Sequence, residues 1–100
     1  MTNYVAGAKE ALYAALRAQG KDPMECLTQG LEQLYVMLVL LKGTETTMED
    51  VHDAWACDRA YTRPDHPDLI PFHQLDPAVV EYDRPFMEAI HEAARQIGRR

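Results

Sequence analysis

One hundred residues with a hydrophobic share of 47% are enough for one domain with one modest core, and they argue against a disordered chain. A net charge of -6, with ten Lys and Arg residues scattered along the chain, argues against nucleic acid as the main partner, because neutralising phosphates takes a basic patch. The one small basic cluster, Arg95, Arg99 and Arg100, falls at a helix end, where cations favour the macrodipole. The first helix is expected from about Tyr4 to Gln19. Val5, Ala8, Leu12, Ala15 and Leu16 follow helical spacing, and Gly20 is a natural stop. A second helix opens at Asp22-Pro23-Met24-Glu25, a cap followed by a first-turn proline, and is expected to run unbroken to Lys42 before Gly43. Its first half is one-sided, through Leu27, Leu31, Leu34 and Leu38. Its second half, Leu34 to Leu41, is apolar all round and must be covered on every side. A strand is the alternative there, but the length and the leading amphipathic turns favour helix.

A third helix begins near Thr47, where either Thr46 with Glu49 or Thr47 with Asp50 makes a capping box, and it runs to about Tyr61. Thr62 to Phe72 then holds three prolines in eleven residues, which excludes helix. An ordered loop anchored by Leu69, Ile70 and Phe72 is expected. Asp76-Pro77 starts a short helical turn to about Tyr82. Asp83 is expected to cap a last helix, Arg84 to Ile97, with a stripe of Phe86, Ala89, Ile90, Ala93, Ala94 and Ile97. The predicted fold is all-α: a compact single domain over 1–100, with four helices, one extra helical turn and a proline-rich ordered loop.

Two cysteines, Cys26 and Cys57, have neither CxxC nor zinc spacing, and both are expected to be free thiols in a reducing cytoplasm. The N-terminus lacks a basic segment followed by an apolar stretch, so no signal peptide is expected. The longest apolar run is eight residues, against about twenty for a membrane span. His52, His66, His73 and His91 include no i, i+4 pair and no HExxH, so no metal and no cofactor are expected. There is no glycine-rich phosphate loop and no GxSxG. Cys57 has acidic neighbours in Asp53 and Asp58 and reads as an inert thiol. A binding module is therefore favoured over an enzyme.

The third helix holds the unusual residues. His52 and Arg59 fall beside Met48, Val51 and Trp55, so both need partners, and Asp65, Asp68 and Asp83 are the candidates. Arg59 also lies one turn from Trp55 and can stack on its ring. Two readings stand. In one, His52 and Arg59 pin the proline loop to the helix. In the other, His52, Trp55, Arg59, His66, Asp68 and Phe72 form a pocket or a partner surface. There Trp55 is a wall and Arg59 recognises the carboxylate or phosphate of a small anionic metabolite or nucleotide. The excess of apolar surface on the second helix suggests self-association. Val36, Met37, Val39 and Leu40 are expected to face away from the main stripe and to offer a homodimer interface.

Val51-His-Asp-Ala-Trp-Ala56, Arg59, His66-Pro-Asp-Leu-Ile-Pro-Phe72, Leu75 and Glu81-Tyr-Asp83 resemble the ryanodine-receptor repeat domain over residues 48–97. The segment between Arg59 and His66 is shorter here than in that repeat, and lacks its Gly-Trp. Over the whole chain, Leu34-Tyr-x-Met-Leu-x-Leu-x-Lys-Gly-Thr-Glu45, Val51 to Ala56 and Asp65-His-Pro-x-Leu-x-Pro-Phe72 resemble a family of small proteins of actinobacteria and their phages. That resemblance implies a phage or prophage accessory protein, acting on a host protein in the host cytoplasm.

Overall fold

The computed structural model describes residues 3–99, and among them all regular structure is helical. Helix α1 spans Tyr4–Ala18. The Asn3 side chain accepts the Ala6 N–H at 2.7 Å, so one of the orphan donors of the first turn is satisfied. The helix ends in a Schellman turn. Gly20 adopts φ 81°, and the N–H groups of Gly20 and Lys21 reach the carbonyls of Arg17 and Leu16. Ala8, Leu12, Ala15 and Leu16 form its buried face.

The expected single helix from Asp22 to Lys42 is two helices, α2 over Pro23–Cys26 and α3 over Gln29–Leu41. Leu27 is extended at φ -125° and ψ 131°, and Thr28 has the β-region geometry of an N-cap. The Thr28 hydroxyl accepts the Leu31 N–H at 3.0 Å and itself donates to Asp58 of the next long helix at 2.9 Å. A threonine that can both cap locally and bond across the fold competes successfully with helix continuation.

The apolar half of α3 passes through the middle of the molecule, where α1, α6 (Arg84–Gln96) and α4 (Met48–Thr62) all pack against it. This corrects the expectation that Val36 and Val39 face away from the core. Val39 is fully buried and Val36 is 5% exposed, because three helices of the same chain cover them. Met37 remains exposed and Leu40 half-buried, on a groove that α3 forms with Val5 and Ala6 of α1.

Helix α4 takes the second of the two possible capping boxes. Thr47 accepts from the Asp50 N–H at 3.1 Å while the Asp50 carboxylate accepts from the Thr47 N–H at 2.9 Å. Thr46 is instead buried, and its carbonyl accepts a hydrogen bond from His91 at 2.7 Å. The proline-rich segment after α4 is an ordered loop with one 3-10 turn, Phe72–Gln74. Its buried anchor is Leu75, whereas Leu69 and Phe72 are half-buried and Ile70 is exposed. Asp76 caps the short α5, Pro77–Val80, by accepting the Ala78 N–H at 2.9 Å. A 3-10 turn over Glu81–Asp83 then leads into α6 without a break. Asp83 therefore has helical backbone and makes no capping bond, contrary to expectation; its carboxyl is free to face inward. Along α6 the buried Ala89, Ala93 and Ala94 keep the backbone close to α1.

Candidate functional site

His52, Trp55 and Arg59 lie three and four residues apart along α4, which places them on one helix face. That face looks into a cavity of about 360 Å³, within the roughly 300–1,000 Å³ usual for small-molecule sites. Opposite it stand Leu31 and Tyr35 of α3, Asp83 of the 3-10 turn and Phe86 of α6. The proline loop closes one side with His66 and Asp68. Five of the six residues expected at the junction thus line one cavity. The sixth, Phe72, sits behind it. Its ring lies 6.3 Å from that of His52, and it borders a separate surface recess with Met48, Arg84 and Met87.

Each α4 residue has a distinct setting. His52 is 3% exposed and its Nε2 donates to the Ile70 carbonyl at 2.7 Å, tying the loop to the helix. This bond fixes the proton on Nε2 and the plane of the ring. The ring stacks on Trp55, with centroids 5.7 Å apart and planes 26° apart. His66 meets the same indole edge-on at 5.0 Å. The Asp68 N–H donates to His66 Nδ1 at 3.0 Å, which leaves the His66 proton on Nε2. Trp55 is thus held by an imidazole on two sides, and Arg59 lies 5.7 Å from its ring centre on a third. A guanidinium so placed gains about 0.5–1 kcal/mol where water still reaches it.

Arg59 does not find the partners the sequence offered. Asp65 pairs with Arg63 at 3.9 Å, and neither Asp68 nor Asp83 forms an ion pair with Arg59 among the described residues. The Arg59 Nε is enclosed and has no hydrogen-bond partner there. A buried donor without a partner costs about 1–3 kcal/mol, more when charged. The pin to the proline loop is therefore His52, while Arg59 borders the cavity with its Nε unpaired.

Two acidic protons of the cavity are displaced from their ordinary ranges. Burial pushes the Asp83 carboxyl up to about 6, partly offset by the nearby His52. Burial, reinforced by the Asp83 charge, holds the Tyr35 phenol well above its usual range. Cys26, at the rim, is a half-buried free thiol that desolvation pushes upward, so it is poorly suited to nucleophilic attack.

Sequence reasoning did not place Tyr35 or Phe86 at the site. Their rings pack together at 5.6 Å, and in a sequence they look like core residues of two helix stripes. Asp83 carried a signal, as a candidate partner for the α4 charges. Among the described residues, no group of three or more His, Cys, Asp or Glu side chains is placed to hold a metal ion, and no helix is long and apolar enough to cross a membrane. No curated protein and no solved structure matches the chain. Residues 3–95 match the family described as a domain of unknown function, DUF7701, and the chain belongs to that family.

Proposed function

We propose that this domain binds a small anionic molecule in the cavity between α3, α4 and the proline loop. Arg59 is the anion contact, Trp55 the apolar wall, and His52 the residue that holds the wall and loop in place. The observation that carries this reading is Arg59, whose Nε is unpaired and which joins no ion pair among the described residues, bordering a half-open, aromatic-lined cavity. An incoming carboxylate or phosphate supplies the charge-assisted hydrogen bonds that the fold leaves unmade. The test is a thermal-shift series with benzoate, phenyl phosphate and AMP. At a tenfold excess over Kd, a ligand raises the Tm of a domain this size by about 5–10 °C. At least one probe is expected to do so, and Arg59→Gln is expected to abolish the shift. No shift with any probe, or a shift that survives Arg59→Gln, overturns the proposal.

A second reading is a phage or prophage accessory protein that engages a host protein in the cytoplasm. It draws on the resemblance to small proteins of actinobacteria and their phages. The apolar α1–α3 groove favours it, where Met37 is 46% exposed and the neighbouring Leu41 is 72% exposed. If a host protein recovered from lysate by the parent chain is also recovered by the Met37→Glu chain, that groove is removed from consideration.

A further inference from the structure

The cavity holds a second unpaired group. Asp83 is half-buried, borders the same space as Arg59 and, among the described residues, accepts no hydrogen bond and joins no ion pair. His52, whose electrostatic influence favours the Asp83 carboxylate, has its Nε2 committed to the Ile70 carbonyl. A carboxylate and a guanidinium thus border one small space without neutralising each other. Each needs a partner of the opposite kind.

A purely anionic ligand completes Arg59 but adds negative charge beside Asp83 and Asp68. A purely cationic ligand completes the carboxylates and leaves Arg59 unmet. We infer that the ligand is amphoteric, with an acidic group for Arg59, an amino group for Asp83, and an apolar or aromatic body against Trp55 and Phe86. This inference rests on the anion-binding reading above and adds the second recognition point. The raised Asp83 carboxyl is consistent with it, since burial acts there with no hydrogen-bond donor to offset it.

Isothermal titration of the full chain with two matched probe sets tests it. One set is L-phenylalanine with 3-phenylpropionate and 2-phenylethylamine, which has its two charges on neighbouring atoms of the zwitterion. The other is 4-(aminomethyl)benzoate with 4-methylbenzoate and benzylamine, which separates them across a ring. In at least one set the zwitterion is expected to bind about tenfold or more tightly than either single-charge analogue. Asp83→Asn is expected to erase its advantage over the acid, and Arg59→Gln its advantage over the amine. If Arg59→Gln does not fold, Arg59→Lys replaces it, keeping the charge but losing the bidentate fork, and is expected to weaken the zwitterion and the acid together. An acid that binds as tightly as its zwitterion, and loses binding in the Arg59 variant, overturns this inference and leaves the anion site standing. Failure of both zwitterions and both acids to bind the folded chain overturns the two together.

Discussion

A carboxyl group that is harder to ionise in the folded state than in the unfolded one works against the fold wherever it is charged, and Asp83 is in that position. Its folded value is about 6 against an ordinary 3.8, and burial is the main cause. Between these values the folded state binds more proton than the unfolded state, so stability from this group falls as pH rises. The unfavourable charge is fully felt above the folded value, and it is relieved as pH drops through that value toward the unfolded one. Asp83→Asn removes the charge and keeps the shape. The variant is therefore expected to melt at a higher temperature than the parent at pH 7.5, with an advantage that shrinks by pH 4.5. Melting curves across that range check this, and a pH-independent difference sinks it. The same residue shows how far the site was legible. His52, Trp55 and Arg59 stand out because polar groups interrupt an apolar helix face. Tyr35 and Phe86 carry no such mark, since an aromatic ring at stripe spacing reads as core. Asp83 read as a helix cap, and only the unbroken passage from the 3-10 turn into α6 turns its carboxyl to the cavity.

At the scale of the element, the break between α2 and α3 decides the shape of the site, because it sets Thr28 and Leu31 on the cavity wall. The sequence presented one hydrophobic stripe through Leu27, and periodicity alone continues a helix across it. What stops the helix is a tertiary bond, Thr28 to Asp58, between residues thirty apart. Gly30 belongs to the same device. A Cβ there runs into the Asp58 carboxylate, so the glycine admits the close approach that lets Asp58 hold the cap. In a helix free of such contact, Gly→Ala gains about 0.5–1 kcal/mol. Gly30→Ala is thus expected to stabilise an Asp58→Ala background by about that amount, and to be neutral or destabilising in the parent chain, where the carboxylate must leave Thr28. Urea unfolding of the four chains of this cycle measures the coupling. Equal effects of Gly30→Ala in both backgrounds mean that Asp58 does not constrain the position. The end of α1 and the start of α4 were legible because their signals are local: the Gly20 stop, which takes a positive φ, and the Thr47–Asp50 box.

At the scale of the whole molecule, the chain divides its work between two sides of α3. On one side α1 and α6 close against it through Ala8, Leu12, Ala89 and Ala93, all fully buried, and small side chains fix the helix spacing. On the other side α4, the proline loop and α5 line the cavity, with the loop held by the His52 bond and the Leu75 anchor. The all-round apolar stretch of α3 follows from this arrangement. Much of the apolar surface that suggested a second copy, Val36 and Val39 with it, is buried within the same chain, while Met37 and Leu41 stay exposed; composition cannot tell the two apart. The division predicts two levels of local stability. Amides of α1, α3 and α6 should exchange with solvent only through global unfolding, while those of residues 63–76 open locally. Ala93→Leu forces extra volume between α1 and α6, at a cost of about 1–3 kcal/mol. Each 1.4 kcal/mol of that cost is expected to speed exchange in α1, α3 and α6 by about tenfold, leaving the loop amides near their parent rates. Native-state hydrogen exchange resolves the two classes. A loop that accelerates in step with the core would mean that the wall of the cavity belongs to the global folding unit, so that a ligand could order it only by stabilising the entire domain.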